Sequence, residues 1–199
     1  MKFLVGTNNK NKFEQFKFIF AYYGADNIQL VSLAELGITD DVEEDKNTLL
    51  GNARKKAKFF AEKSGLTTIA DDTGFFVEAL DGFPGIKAKR WLKGTERDRN
   101  LAILEKMEGV PEEKRGCRYR GVVAVYNPQS KKFWQAENDC EGVITKELYP
   151  GGFGYDGIFY IPHFRKTYGQ LTEEEKISIN FRGRGVKEFL DFLQKGGTL

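Results

Sequence analysis

The chain has 199 residues, of which 40% are hydrophobic and 14% aromatic, so it can bury a substantial core as one domain. Its formal net charge of +2 argues against broad affinity for nucleic acids or membranes, but it allows a local basic pocket for a small anion. The single histidine, His163, makes zinc clusters and most histidine-based nucleophile systems hard to assemble, so the chemistry left to the chain is that of carboxylates.

A short apolar strand at the start of the chain, Phe3 to Gly6, leads directly into a polar turn and then a Phe-rich helix. The unpaired N–H groups at a helix start, together with the positive end of the helix dipole, favour bound phosphate. The turn adds polar donors and charge through Thr7, Asn8, Asn9, Lys10, Asn11 and Lys12. It is therefore a candidate phosphate-binding turn, and the alternative is an ordinary helix N-cap with solvated lysines.

Helical periodicity predicts two helices in the first third of the chain. Phe13, Phe16, Phe20 and Tyr23 recur at helical spacing and are followed by Gly24, which indicates a core-facing stripe rather than a cofactor site. A second helix is predicted from about 48 to 64, ending at Gly65. Most of its cations should be solvated, but Asn52 and Lys56 share one face and are placed to look into a crevice.

Two acidic motifs flank this second helix. Asp71-Asp72-Thr73-Gly74 follows a predicted strand, 67 to 70, at the point where we expect that strand to end, and Glu43-Glu44-Asp45 precedes the helix. Ligands of open α/β sheets bind beyond the carboxyl ends of strands, and Mg²⁺ prefers carboxylate oxygens and substrate phosphates. These motifs predict a metal–polyphosphate site. The alternatives are a turn or cap for the aspartates and a solvated run for the other acids.

A long β-hairpin is predicted in the middle of the chain, with strands 117 to 126 and 131 to 140 joined by Asn127-Pro128-Gln129-Ser130. Antiparallel counting places Cys117 opposite Cys140, which makes a disulfide conceivable, although reduced thiols are the expected state in a cytoplasmic protein. We expect a cytoplasmic protein because the sequence shows neither a secretory leader nor an apolar run long enough to span a membrane.

A glycine-rich loop, Gly151 to Gly157, is the last distinctive motif, between a helix predicted at 98 to 107 and a final helix at 183 to 194. A strand is predicted directly after it, at 158 to 161. The glycines allow close approach to a ligand, Phe153 and Tyr155 offer flat surfaces that suit a nucleobase, and Asp156 offers an acceptor. The alternative is a bulged turn with two core aromatics. Further donors are available downstream from Lys176 and Arg182.

Taken in order, these motifs resemble the inosine triphosphate pyrophosphatase family, which hydrolyses non-standard purine nucleoside triphosphates, and the resemblance covers nearly the whole chain. The matching stretches are Thr7 to Lys12, Thr48 with Asn52-Ala53 and Lys56-Ala57, Ala70 to Gly74, Gly82 to Gly85 with Arg90-Trp91, Gly151 to Asp156, and Glu174 to Lys176. The resemblance implies an α/β fold with an elongated mixed β-sheet flanked by helices, two lobes with a central cleft, and usually a homodimer. It implies a single pyrophosphatase domain over residues 1–199.

The resemblance also implies chemical roles. Glu44 and Asp72 would hold Mg²⁺, and Asp72 would accept a proton from the water that attacks the α-phosphorus. An extended strand points Asp71 and Asp72 to opposite sides, and the likeness to the family selects Asp72. Lys12 and Lys56 would neutralise phosphate oxygens.

Substrate contacts are implied as well. Hydrogen bonds to the phosphates would come from Thr7, Asn9 and Thr73, and Arg182 would donate to the C6 oxygen of hypoxanthine or xanthine, where adenine has an amino group. The other residues of the implied substrate-binding set are Asn8, Lys10, Asn11, Arg90, Phe153, Gly154, Tyr155, Asp156, Lys176 and Phe181.

The chain departs from the family pattern at four places. Asn180-Phe181-Arg182 stands where the family has Ser-His-Arg, so a base-contacting imidazole is replaced by a phenyl ring that can stack but cannot donate. Gly51 replaces a glutamate, Gly157 a proline and Ala88 a serine. Because none of these changes removes an implied metal ligand or phosphate-binding lysine, hydrolysis should survive better than base discrimination.

Two other functions remain open at this stage. One is a purine nucleotide-binding protein that has lost turnover, and the other is a related pyrophosphatase with a different base preference. Release of pyrophosphate from ITP and XTP, compared with ATP, distinguishes the three.

Overall fold

The fold is α/β, as predicted, with eight strands in one mixed sheet and five α-helices. The structure is a computed structural model that describes residues 1–199. The strands are β1 (Lys2–Val5), β2 (Gln29–Ser32), β3 (Thr68–Val77), β4 (Pro84–Gly85), β5 (Gly116–Asn127), β6 (Lys132–Ile144), β7 (Phe159–Ile161) and β8 (Lys166–Thr167). The helices are α1 (Lys10–Tyr22), α2 (Leu49–Ser64), α3 (Glu96–Lys106), α4 (Glu173–Ile179) and α5 (Phe181–Gln194). None of the helices combines the length and apolar character needed to cross a bilayer.

The chain divides into two compact units, each built from separate stretches. Unit 1 contains residues 1–72, 121–138 and 181–199, and unit 2 contains residues 73–120 and 139–180. Strands β3, β5 and β6 each begin in one unit and end in the other. The assignment of one functional domain to residues 1–199 stays a prediction.

In unit 1, strand β1 pairs in parallel with β2 on one side and β3 on the other, in the register Leu4 to Thr68 and Val5 to Ile69 with β3. Because the strands are parallel, their carboxyl ends lie at one edge of the sheet. Helix α1 follows β1 at that edge and buries Phe16 and Phe20 of the predicted stripe. The α2 boundaries are confirmed to within one residue.

Strand β3 corrects one prediction. We expected the strand to end at Asp71, but β3 continues through both aspartates to Val77. The sequence signal was misleading because a polar run usually marks a turn, whereas here both carboxylates are buried against cationic and amide partners within unit 1. With their charges satisfied in this way, the acidic residues can lie inside a strand.

Unit 2 packs around an aromatic and aliphatic core that includes Phe75, Met107 and Phe159. The predicted long hairpin is present as β5 and β6, and Cys117 and Cys140 are buried free thiols, as expected. Helix α4 was not predicted, because seven residues are too few to show clear helical periodicity. Its capping box, in which Thr172 and Glu175 bond each other's backbone N–H, was the available signal.

Two further boundaries shift by two residues. Helix α3 begins at Glu96 rather than at 98, because Thr95 caps it with Asp98. Helix α5 begins at Phe181 rather than at 183. The second shift places Phe181 and Arg182 in the first turn of a helix rather than in a loop.

Candidate active site

The polar turn after β1 is first of all the cap of helix α1. Asn9 Oδ1 accepts hydrogen bonds from the backbone N–H of Asn11 at 2.9 Å and of Lys12 at 3.4 Å, and Thr7 Oγ1 accepts one from Asn9 N at 3.2 Å. The side-chain oxygen of Asn9 therefore acts as an ordinary helix N-cap. Its amide nitrogen and the positive end of the helix dipole are left for a ligand.

The other polar side chains of this turn lie at the surface. Asn8 Nδ2 donates to the backbone oxygen of Asp40 at 2.9 Å, and Lys10 and Asn11 are exposed. Lys12 differs from them because its ammonium group reaches inward to a buried carboxylate.

That carboxylate belongs to Asp71, which is shared by two cations. Asp71 Oδ2 accepts a hydrogen bond from Lys12 Nζ at 3.0 Å and another from Arg182 Nη2 at 2.7 Å, and only 1% of the Asp71 side chain is exposed. Burial by itself would raise the pKa of Asp71, but the charges of Arg182, Lys12 and Lys56 outweigh it and hold that pKa well below its usual range. Burial lowers the pKa of Lys12, and the Asp71 charge opposes this.

Arg182 is held on several sides. Its Nη1 donates to Gln15 Oε1, and the guanidinium lies 5.5 Å from the ring centroid of Phe16 and 4.8 Å from that of Phe181. The Phe181 ring in turn packs on the backbone of Gly121, where an added Cβ would come within 2.1 Å of it. The phenyl ring that departs from the family pattern is thus one wall of the Arg182 site.

Asp72 has a separate set of partners. Its Oδ2 accepts a hydrogen bond from Asn52 Nδ2 at 3.0 Å, and its Oδ1 accepts one from Lys56 Nζ at 3.4 Å. Lys56 Nζ also donates to Glu44 Oε1 at 2.6 Å, so one ammonium group joins the two carboxylates. The prediction that Asn52 and Lys56 share an inward face of α2 is confirmed.

Burial and neighbouring charges shift the pKa values of Asp72 and Lys56. Burial raises the pKa of Asp72; Lys56 opposes this, and the nearby charge of Glu44 adds to it. Burial would lower the pKa of Lys56, but Asp72, Asp71 and Glu44 together raise it. Unit 1 thus sets three cations, Lys12, Lys56 and Arg182, against three carboxylates, Glu44, Asp71 and Asp72.

The donor set around Lys56 fits a hard divalent cation. No group of three or more metal-ligating side chains exists, but Glu44 and Asp72 both direct an oxygen at one positive charge. Mg²⁺ is commonly held by one or two carboxylates together with substrate phosphates and water, and it rarely needs a complete protein cage. The two carboxylates therefore suit Mg²⁺ better than zinc, for which four protein ligands would be expected at a structural site.

In unit 2, the two rings of the glycine-rich loop have different environments. Phe153 is 40% exposed, whereas Tyr155 is buried and stacks on Phe75 with ring centroids 4.5 Å apart. The Tyr155 hydroxyl donates to the backbone oxygen of Ala88 at 2.6 Å and accepts from Trp91 Nε1 at 2.7 Å. Tyr155 thus has the contacts of a core aromatic, and Phe153 has the accessible ring.

Asp156 organises the loop from inside. Its Oδ1 accepts from the Tyr119 hydroxyl at 3.0 Å and its Oδ2 from Phe153 N at 3.1 Å. The loop passes so close that a Cβ on Gly152 would lie 2.5 Å from the Asp156 side chain. Burial raises the pKa of Asp156 to about 6, against the hydrogen bonds that favour its ionised form.

A cavity of about 360 Å³ adjoins this loop within unit 2. The cavity wall consists of Glu96, Arg97, Asn100, Leu148, Tyr149, Pro150, Gly151, Gly152, Phe153, Gly154 and Gly157. Asn100 Nδ2 donates to the backbone oxygen of Gly154 at 2.7 Å, which fixes α3 to the loop. Phe153 and Gly154, both predicted to bind substrate, thus line a concave surface.

The remaining predicted residues of unit 2 are more scattered. Lys176 is buried on α4, where its ammonium pairs with Glu173 Oε1 at 2.8 Å. Arg90 is exposed, and Thr73 is partly buried in β3. Their roles in substrate binding stay predictions.

Sequence reasoning missed Gln15 and Phe16 as neighbours of Arg182. Both lie on α1, and because Gln15 and Arg182 are 167 positions apart in the chain, no local signal reports that contact. The helical stripe did assign Phe16 to the core, correctly, but periodicity could not identify the cation that packs on its ring.

Comparison with known proteins gives concordant matches over almost the whole chain. The family model described as "Ham1 family" matches residues 3–192. The dITP/XTP pyrophosphatase of Desulforamulus reducens is 39% identical over 198 residues, covering 98% of this chain and 96% of that protein. The dITP/XTP pyrophosphatase of Thermoanaerobacter pseudethanolicus is 37% identical, covering 98% of each. The Ham1 protein of Staphylococcus aureus superposes with a TM-score of 0.84 at 30% identity, covering 98% of this chain and all of the other.

Proposed function

The chain belongs to the Ham1 family, and from this we propose that it hydrolyses the non-standard purine nucleoside triphosphates ITP, dITP and XTP to the monophosphate and pyrophosphate. This is the function that the resemblance to inosine triphosphate pyrophosphatases implied. Relatives named for dITP and XTP match end to end, so the whole chain supports the assignment rather than a single motif.

The contact that carries this proposal is the bridge made by Lys56. Its ammonium lies 2.6 Å from Glu44 Oε1 and 3.4 Å from Asp72 Oδ1, so the two implied metal ligands converge, although they are 28 positions apart in the chain. The same strand carries Asp71, which holds Lys12. Unit 1 thus supplies a carboxylate pair and two lysines in one place, as Mg-assisted attack on a triphosphate requires.

In this mechanism Glu44 and Asp72 hold Mg²⁺. When bound, Mg²⁺ supplies positive charge and Lewis acidity at the phosphate oxygens. Asp72, fixed by Asn52, accepts a proton from the water that attacks the α-phosphorus. Lys12 and Lys56 stabilise the negative charge that spreads over the phosphate oxygens, and the N-terminus of α1 adds the donors of its first turn.

Base selection is assigned to Arg182 in unit 1, and the accessible ring of Phe153 in unit 2 is a separate candidate stacking surface. Arg182 has two N–H groups committed to Gln15 and Asp71, while its Nε makes no hydrogen bond, so donor capacity remains for the C6 oxygen of hypoxanthine or xanthine. A donor at that position disfavours the amino group of adenine by about 1–3 kcal/mol. Phe153 offers a face for stacking.

The finer assignments follow the family resemblance. We propose Mg²⁺ as the cofactor, a homodimer as the assembly, and free nucleotides in the cytoplasm as the substrate, with no polymeric nucleic acid or membrane as partner. The modest net charge of +2 agrees with a small anionic ligand held in a local basic site.

A substrate panel tests the proposal. Purified protein with Mg²⁺ should release pyrophosphate from ITP, dITP and XTP, and much less from ATP. Release of inorganic phosphate in place of pyrophosphate would contradict attack on the α-phosphorus.

The panel also separates the two alternatives. Tight binding of ITP without product would identify a nucleotide-binding protein that has lost turnover. Comparable turnover of ATP would identify a related pyrophosphatase with a different base preference, a result that Phe181, standing where the family has histidine, makes worth testing.

A further inference from the structure

The buried carboxylate of Asp71 has no part in the mechanism above, yet it is among the least exposed polar groups of unit 1. Both of its cationic contacts go to the same oxygen: Lys12 Nζ at 3.0 Å and Arg182 Nη2 at 2.7 Å. Each of these cations has a proposed substrate contact, Lys12 with a phosphate oxygen and Arg182 with the base. Asp71 therefore lies behind the two groups rather than among those that touch substrate.

The exposed fraction of each side chain shows which cation a phosphate can reach. The Lys12 side chain is 23% exposed, whereas those of Arg182 and Asp71 are 8% and 1% exposed. A phosphate oxygen can thus approach the Lys12 ammonium from the open side while Asp71 holds it from the buried side. Arg182 has additional supports in Gln15 and two aromatic rings, but among the side-chain contacts described for Lys12 the only anion is Asp71.

We infer that Asp71 is an internal counter-ion that positions Lys12 and Arg182 and competes with pyrophosphate for the charge of Lys12, so that it sets both the rate of turnover and the ease of product release. This inference rests on the proposed function. Because the Asp71 carboxylate already pairs with Lys12, an incoming phosphate gains less from that ammonium group than it would from an unpaired one. The same pairing fixes where Lys12 lies, and small displacements of a charge-stabilising group are costly to catalysis.

Removing the charge of Asp71 should strengthen pyrophosphate binding but weaken catalysis. Loss of a merely structural residue would not produce this combination. With Asp71→Asn, Lys12 loses its counter-ion, so inorganic pyrophosphate should bind about fivefold or more tightly. The displaced lysine should lower kcat roughly tenfold or more, and KM for ITP should fall rather than rise. A loss of fold would weaken binding and catalysis together.

The experiment measures kcat and KM for ITP with Mg²⁺, and the affinity for inorganic pyrophosphate by calorimetry, in the parent, Asp71→Asn, Lys12→Gln and the double variant. In the double variant the tightening caused by Asp71→Asn should shrink to at most half, because the freed ammonium group of Lys12 is gone. The charge-matched control is Glu14→Gln. Glu14 is an exposed carboxylate on α1 that pairs with Lys17, so its substitution should leave kcat, KM and pyrophosphate affinity at the parental level.

Unchanged or weaker pyrophosphate binding by folded Asp71→Asn would overturn the inference, as would an unchanged kcat. If that variant does not fold, Asp71→Glu provides the test, because it keeps the negative charge but moves the carboxylate oxygens. In this variant kcat should fall while the affinity for pyrophosphate stays unchanged. A kcat at the parental level would overturn the inference. A parent that binds pyrophosphate but releases none from any nucleotide would instead contradict the proposed function.

Discussion

Asn52 donates a 3.0 Å hydrogen bond to Oδ2 of Asp72, and both side chains are buried. The amide holds one carboxylate oxygen of Asp72 and leaves the other to Lys56 at 3.4 Å. Because α2 provides both Asn52 and Lys56, one helix face fixes how the carboxylate of β3 is turned. A reacting group held from a rigid helix needs little reorganisation when the substrate arrives.

Asp72→Asn should therefore lower pyrophosphate release from ITP by roughly a thousandfold or more, since it removes the proposed proton acceptor and one proposed metal ligand together. The substituted amide keeps only one acceptor oxygen, so its NH₂ group has to face one of two donors, Asn52 or Lys56. Steady-state kinetics with ITP and Mg²⁺ measure the effect. The control Asp191→Asn breaks only a surface ion pair with Lys187, so its kcat should stay within about twofold of that of the parent. A kcat above a tenth of the parental value in Asp72→Asn would argue against the proposed role of Asp72.

Lys56→Gln should make the protein less stable and more responsive to Mg²⁺. Glu44 and Asp72 lose their shared ammonium, which costs about 3 kcal/mol when a largely buried partner is removed. Added Mg²⁺ can replace that positive charge, so the thermal midpoint should rise more with Mg²⁺ in the variant than in the parent. This readout does not depend on turnover.

The matched control for this variant is Lys58→Gln, on the same helix but exposed and paired with Glu62. It should leave both stability and the Mg²⁺ response unchanged. Equal Mg²⁺ shifts in the parent and Lys56→Gln would mean that the two carboxylates are not the metal site.

Asp156 should make stability depend on pH in an unusual direction. Because its pKa is about 6 in the folded protein and near 4 in the unfolded chain, the folded state binds a proton more tightly. Its contribution to stability is fully present below about pH 4 and is lost as the pH rises through about 6, a change of about 3 kcal/mol. Asp156→Asn cannot titrate, so the parent's stability relative to this variant should fall by about that amount between pH 4 and 7 in urea unfolding.

Asp98 provides a control of opposite sign for this measurement. Backbone and side-chain hydrogen bonds from Thr95 lower the pKa of Asp98, so its contribution is present above the unfolded pKa and is lost as the pH falls. The parent's stability relative to Asp98→Asn should therefore rise, not fall, with pH. The same slope for both variants would contradict the assignment of Asp156 as the buried, proton-binding group.

Tyr155→Phe should reduce stability without altering base preference. The hydroxyl donates to Ala88 and accepts from Trp91, so its loss leaves buried partners unsatisfied at a cost of about 1–3 kcal/mol. The ratio of kcat/KM for ITP over ATP should be that of the parent.

Phe153→Ala should behave in the opposite way. Its ring is 40% exposed, so truncation costs little stability but removes the stacking surface, and KM for ITP should rise about tenfold. If Tyr155→Phe raised KM for ITP and Phe153→Ala did not, the roles of the two rings would be reversed.

Local patterns predicted the elements well where one strong signal marked each end. Helix α2 lies between Thr48 and Gly65, as its cap residues indicate, and the long hairpin turns at Asn127. The strand containing Asp71 was cut short because a polar run resembles a turn when its partners are not known. Those partners, Lys12 and Arg182, are 59 and 111 residues away in the chain, and no periodicity reports contacts at such separations.

The sequence named members of the charged cluster in unit 1 but did not show how they pair. Motif order identified Glu44, Lys56 and Asp72, and the structure brings these three together. Sequence spacing could not show that Arg182 binds Asp71, because the start of α5 was placed two residues too late. Nor could it show that Tyr155 is stacked in the core while Phe153 is open, since both are aromatic residues in one glycine-rich loop.

Unit 1 is assembled from the first 72 residues, the turn of the long hairpin and the last 19 residues of the chain. During synthesis, the lysines and carboxylates of the first stretch emerge from the ribosome well before Arg182 does. Until α5 arrives, the Asp71 carboxylate lacks one of its two cations, and the Phe181 ring is missing from above Gly121. The nascent chain thus cannot complete the buried ion pairs of Asp71 before its C-terminal helix has been synthesised.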